Sequence, residues 1–243
     1  LESFTQLRQH FYVTGILHPG NKDDQQLISL LSKAAPCLIN NKIWKLLIYL
    51  IPSIWLLIAI GCALNLLPIS IAGVFFGLSF IVAYINAKQI TMVHNSLDKM
   101  EQILHTYSNL IKCIEGESFQ SAELADIHQR FASDGQTASS IIKKLSGHIG
   151  ALNQRFSTIG VILNIFTLRD TRMAMKLEKW KMEHGDDTER WFEALALFDA
   201  YCSLGGFAFN HPEYIYPEIA DVYFKMEGKA LGHPLLRRDI CVK

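Results

Sequence analysis

Polar and apolar positions change their rhythm abruptly along the chain. From residue 46 to residue 87, 42 consecutive positions carry no Asp, Glu, Lys, Arg or His. Asn65 and Pro68 divide the run into 46–67 and 69–87, each able to reach about 30 Å as a helix, the thickness of a bilayer's hydrocarbon core. Pro52 falls inside the first span, where a kink is better tolerated in lipid than in water. Lys42 and Lys45 precede the run and Lys88 follows it. The positive-inside rule therefore puts both ends of a helical hairpin in the cytoplasm and the Asn65–Pro68 turn outside, in an inner (cytoplasmic) membrane. Trp44, Trp55 and Tyr84 are the aromatic candidates for the interfaces, although Trp55 lies near the middle of its span. A secretory signal peptide fits less well, because two full-length spans follow a polar leader of about 40 residues. A hairpin buried in a large soluble core is the bland alternative. It is disfavoured because core helices keep a polar stripe.

After the run the period becomes helical. Ile90, Val93, Leu97, Met100, Leu104, Tyr107, Ile111 and Ile114 are spaced 3-4-3-4-3-4-3, an apolar heptad seam with Lys88, Asp98, Lys99, Glu101 and His105 off it. With neither Gly nor Pro from 88 to 115, a helix is expected to run from the second span into the cytoplasm. A helix of the same chain is the favoured partner for the seam, and coiled-coil dimerisation is the alternative. Further helices are expected over 121–132, 137–156, about 161–184 and from Asp187 or Thr188 to about Phe209. Gly116 ends the long helix, Asp134-Gly135 marks a turn, and Thr137 or Ser139 caps the helix after it. Gly147 and Gly150 weaken that helix. Gly185-Asp186-Asp187 closes the next one, with both acids at a helix start. Trp191, Leu195, Phe198 and Cys202 share one face of the last helix. Beyond Pro217 the pattern turns β-like at 222–226 and 239–242.

Composition sharpens the division. Charged residues are 19% of the chain, and 23 basic residues balance 23 acidic ones. No global field therefore draws the chain to nucleic acid or anionic lipid. All charges lie outside the uncharged run, which makes a uniformly soluble globule a poor description. The five cysteines are odd in number and contain no C-x-x-C pair, as expected of reduced, buried cytosolic thiols. The chain begins without Met and reads as an excised piece of a longer protein.

Catalytic motifs are absent from the sequence: it holds no phosphate loop, H-E-x-x-H, G-x-S-x-G or G-x-G-x-x-G. The nine histidines are scattered without metal-ligand spacing. One basic stripe, Arg169, Arg172, Lys176 and Lys179, with Lys181 nearby, is the candidate contact for nucleic acid or anionic lipid, against the plainer reading of a solvated helix face. Asp170 and Glu178 dilute it. Trp180 and Phe166 read as core residues rather than base-stacking platforms.

The last third is more specific. Trp191-Phe-Glu-Ala-Leu-Ala-Leu-Phe-Asp199-Ala-Tyr-Cys-Ser-Leu-Gly leads to Asn210-His211-Pro212 and Tyr216-Pro217-Glu218-Ile219. It then passes into Met226-Glu-Gly-Lys-Ala-Leu-Gly-His233-Pro234-Leu-Leu and Cys241-Val242. This series resembles the end of the core/lever region of MutS-type mismatch-repair ATPases, over residues 187–243 and less closely over 145–184 and 1–20. Glu193, Asp199, Gly228, His233 and Pro234 carry the signature. The resemblance implies a lever that transmits nucleotide state to DNA-contacting parts. It also implies a Walker A loop just beyond the last residue and an apolar pair, here Cys241 and Val242, packing on adenine. Soluble MutS proteins have no membrane hairpin, and the roughly 21 residues between Glu115 and Thr137 are too few for their clamp domain.

The expected fold is accordingly all-α: a long-helix bundle of MutS core/lever type with a hydrophobic helical hairpin and a short β-forming C-terminal tail. Residues 1–42 would open the helical core and 43–88 form the hairpin. Residues 89–220 would supply the lever and core helices, and 221–243 the first strands leading into an ATPase domain. The expected function is nucleotide-coupled engagement of DNA or a partner by a membrane-tethered protein. The piece itself would be without enzymatic activity or cofactor, and the full-length protein would use ATP and Mg. The implied partners are its own ATPase domain, a second copy of the full-length protein, DNA and a membrane. The alternatives are a helical membrane scaffold or signalling module dimerising through the 90–114 seam, and a DNA-binding helical domain using Arg169 and Arg172.

Overall fold

A computed structural model describes residues 4–17, 28–31, 38–87, 90–91, 100–133, 135–219, 221, 227–228 and 232–233. The order is α1 (Thr5–Leu17), α2 (Lys42–Ala63), α3 (Ile69–Ile85), α4 (Met100–Glu115), α5 (Ala122–Arg130), β1 (Ala132–Ser133), β2 (Gln136–Thr137) and α6 (Ala138–Asn153). A 3₁₀ turn (Gln154–Phe156), α7 (Thr158–Thr167) and α8 (Arg169–Asn210) complete it. The fold is all-α, and the described strands form one two-residue antiparallel ribbon. Its turn falls where Asp134-Gly135 predicts it, with Gly135 supplying the positive φ of 76°. The β-forming segments expected at 222–226 and 239–242 lie outside the described residues.

The main core is built where the heptad seam meets α6. Leu104, Ile111 and Ile114 are buried against Ile141, Ile142, Leu145 and Ile149, and the second half of α8 adds Trp191, Ala194, Leu195 and Phe198. Each of the leucine, isoleucine and phenylalanine side chains contributes about 1.5–3 kcal/mol on leaving water. Polar links set the antiparallel register of α4 and α6. Ser108 Oγ donates to the Ser139 carbonyl at 2.8 Å, Ser146 Oγ to the Glu101 carbonyl at 3.0 Å, and Asn153 Nδ2 to Glu101 Oε2 at 2.7 Å. Glu115 accepts from the Ser139 amide at 3.1 Å and from its hydroxyl, capping the start of α6. Thr137, at the N-cap position, makes no side-chain cap bond itself. α6 continues through Gly150, where a Cβ would meet the Glu101 carboxylate that fastens the pair. Over 100–114 the seam is thus satisfied within the chain. Val93 and Leu97 lie outside the described residues, but the expected single helix from 69 to 115 is interrupted: α3 ends at Ile85, with Asn86 as its C-cap.

The 46–87 run forms the expected hairpin. α2 ends at Ala63, Asn65 turns through a positive φ of 56°, and α3 starts after Pro68. Trp55 Nε1 donates to Ser79 Oγ at 3.2 Å between the two helices, so Trp55 serves as a hairpin contact rather than an interfacial anchor.

Two further expected boundaries differ. Gly185 does not end a helix: α8 continues for 42 residues, about 63 Å. The cost of a helical glycine, about 1 kcal/mol, is outweighed by burial on both sides, at Trp180 and at Trp191. Asp187 sits mid-helix and pairs with Arg190 at 2.8 Å while accepting from Ser133 at 3.2 Å, so it is not a helix-start acid. The expected 161–184 helix is instead two helices, separated at Leu168, whose φ of 47° is left-handed. Full burial of the Leu168 side chain holds that conformation in place.

Candidate functional site

Two helices pass a length-and-composition test for crossing a membrane, α2 and α8. They are not equivalent. The apolar part of α8 carries Glu193 and Asp199, and its apolar side chains Trp191, Phe192, Leu195 and Phe198 are buried in the main core with Leu7 and Phe11. One face of that stretch is thus a core face, while Leu197, Leu204 and Phe209 on it remain exposed. In α2, by contrast, Leu46, Leu56, Leu57 and Ile60 stay exposed, as do Val74, Leu78 and Ile81 in α3. At 17 residues, or about 26 Å, α3 is shorter than α2 and carries no charge, whereas α2 opens with Lys42 and Lys45. Among the described residues, more exposed large apolar side chains lie on these two helices than on any other element, and contiguous patches of this kind mark sites of contact with a membrane or partner.

The base of the hairpin is joined to the first half of α8 by a second core of Ile48, Ile51, Ala83, Ile90, Leu152, Leu168, Ala174 and Met175. Three polar fasteners also run from the first half of α8, two to the approach and base of the hairpin and one to the 28–31 segment. The Glu178 carboxylate accepts from the Leu38 amide at 3.0–3.1 Å and from the Ile39 amide at 2.8 Å, holding the turn that leads into α2. Arg172 Nη2 donates to the Ile48 carbonyl at 2.8 Å, with its guanidinium 6.0 Å from the Tyr49 ring. Lys181 Nζ donates to the Leu30 carbonyl at 2.5 Å, and burial holds this amine below its ordinary pKa. All three act on main-chain groups, so they fix backbone position rather than side-chain identity.

The predicted basic stripe does not form one open surface. Arg172 faces the hairpin, and Arg169 Nη2 donates to Gln154 Oε1 at 3.0 Å. Lys179 lies 3.4 Å from Glu183, and Lys176 remains exposed. The two acids that dilute the stripe in the sequence carry tertiary contacts. Glu178 holds the Leu38 and Ile39 amides, and Asp170, 3% exposed, lies 3.3 Å from Arg155. An acid placed within a basic helix face is the available signal for both, but their partners lie too far along the chain to be read from spacing. Trp180 is in the main core and donates to the Ile141 carbonyl at 3.1 Å, while Phe166 packs on Trp55 with ring centroids 4.4 Å apart.

Among the signature residues, Glu193 and Asp199 lie on the exposed side of α8, and Gly228 and His233 are exposed. Pro234, Cys241 and Val242 lie outside the described residues, so the adenine-packing edge has no described geometry. No cluster of three His, Cys, Asp or Glu side chains suited to a metal occurs among the described residues. Burial raises the thiols of Cys113 and Cys202, the latter to about 11 with Asp199 adding to the effect, which makes them poor nucleophiles. Comparison with protein families, curated proteins and solved structures finds no match.

Proposed function

We propose that the chain is the core and lever portion of a membrane-tethered, clampless MutS-related ATPase. In this role it carries nucleotide-driven movement between a C-terminal ATPase domain and a membrane hairpin, and thereby controls engagement of DNA or a partner. The observation that carries the reading is α8. One unbroken 42-residue helix bears the fasteners Arg172, Glu178 and Lys181 in its first half and the Glu193 and Asp199 signature in its second. At about 63 Å, this one helix physically joins the hairpin fasteners to the signature face. The uncharged hairpin supports the tethering half, with both of its ends assigned to the cytoplasm by Lys42, Lys45 and Lys88. The scaffold alternative loses its main support, because Leu104, Ile111 and Ile114 are buried inside the bundle and unavailable to a second copy.

Two tests separate the halves. Sequencing the gene past codon 243 should reveal a Gly-x-x-x-x-Gly-Lys-Ser/Thr loop within about thirty codons; a continuation without a phosphate loop would remove the ATPase assignment. Extraction of membranes from expressing cells with alkaline carbonate should leave the protein in the pellet. Release to the supernatant would remove the tether.

A further inference from the structure

We propose that α7 is a third membrane-embedded element, a short helix lying against the hairpin with its free face in contact with lipid acyl chains. The inference rests on the proposed insertion of the hairpin in a membrane. α7 is ten residues, Thr158–Thr167, without a charge, and at about 15 Å it is too short to span a bilayer. Its Phe166 ring contacts Trp55 of α2 at 4.4 Å and Phe76 of α3 at 6.1 Å between centroids, so the helix is seated on the uncharged hairpin. Gly160 and Ile165 are buried, whereas Ile159, Ile162 and Leu163, spaced i, i+3, i+4, are 71%, 49% and 43% exposed. That stripe belongs to a helix seated on a hairpin that itself exposes Leu57, Val74 and Leu78, and in this reading the same acyl chains cover both.

The polar groups are arranged to suit. Charge is confined to the segments flanking α7, and those flanks are linked to each other. Arg155 Nε lies 3.3 Å from Asp170 Oδ2, Arg169 Nη2 donates to Gln154 Oε1 at 3.0 Å, and the Asp170 amide donates to Asn164 Oδ1 at 3.0 Å. The chain therefore leaves the bundle, lays an apolar helix on the hairpin and returns within a few ångströms. Main-chain groups at the turns are satisfied internally: Ser157 Oγ accepts from the Gly160 amide at 3.0 Å, and the Leu168 amide donates to the Asn164 carbonyl at 2.8 Å. Such internal satisfaction is what a segment in hydrocarbon requires.

The test uses full-length protein in vesicles of phosphatidylcholine and phosphatidylglycerol, with native cysteines replaced and single nitroxide labels placed at Ile162→Cys, Leu163→Cys, Leu57→Cys on the hairpin and Lys176→Cys as the aqueous reference. Circular dichroism confirms that each variant remains helical. Collision with oxygen should exceed collision with a water-soluble nickel chelate several-fold at Ile162 and Leu163, as at Leu57, with the reverse at Lys176. Nickel access at Ile162 and Leu163 with a lipid-exposed Leu57 would overturn the α7 inference and leave the hairpin standing. Shielding from both reagents would overturn it too, since protein would then cover the face. A water-exposed Leu57 would remove the membrane reading and this inference with it.

Discussion

Replacing Glu178 with Ala removes the acceptor for two main-chain amides, Leu38 at 3.0 Å and Ile39 at 2.8 Å, that fix the approach to α2. A hydrogen bond to a charged group contributes about 1.5–3 kcal/mol. Glu178 is half-buried, so water competes for it and the lower figure applies to each bond. Together they amount to about 3 kcal/mol, roughly a 150-fold shift in the local opening equilibrium at 1.4 kcal/mol per tenfold. Hydrogen exchange read by mass spectrometry on peptides covering 38–48 should accelerate by that order in Glu178→Ala. Glu178→Gln, which keeps one oxygen, should give a smaller effect, and Lys179→Gln none. Peptides from α6 should exchange at the wild-type rate, because the main core does not involve Glu178. Unchanged exchange at 38–48 in Glu178→Ala would refute the claim that this carboxylate fastens the hairpin to α8.

Four further outcomes are expected. Arg172→Ala should lower stability by about 1.5–3 kcal/mol through the lost bond to the Ile48 carbonyl, while any duplex-DNA retention on a salt-gradient column stays at the wild-type position; a large drop in retention would restore the stripe as a nucleic-acid site. Leu145→Ala, at a fully buried position, should cost about 2–5 kcal/mol in chemical denaturation, and a loss below about 1 kcal/mol would show the core misassigned. Gly160→Ala should destabilise, because its Cβ would meet the Gln154 carbonyl, and a melting temperature equal to wild type would contradict that packing. His148 is held below its ordinary 6.5 by burial and by Lys176, so the neutral form favours the fold. Its contribution is complete above pH 6.5 and lost as pH falls through the lowered value. Lys176→Gln should move the His148 ring titration upward by NMR, and a downward movement would contradict the assignment.

Legibility in the sequence tracks the physical range of each interaction. The hairpin is legible because hydrophobicity over 42 residues needs no partner to be recognised. Burial of Leu104, Ile111 and Ile114 is legible because helical period alone selects a face. Gly185 misleads, since local propensity is a small term beside the two tryptophans buried around it. Leu168 gives no warning, because a leucine enters the left-handed region only when tertiary packing imposes it. Arg172 and Glu178 bind main-chain atoms 124 and about 140 residues away, distances over which no spacing rule operates. For the same reason spacing alone merges α7 into a longer helix, and its contact with Trp55 and Phe76 emerges only from the fold.

Coupling between nucleotide and hairpin is tested most directly by hydrogen exchange on full-length protein in vesicles, with and without ATP and Mg. Nucleotide should change the protection of Leu38 and Ile39, where Glu178 of α8 grips the entry to α2. Identical exchange at these amides under conditions where ATP is bound would contradict a lever that reaches the membrane.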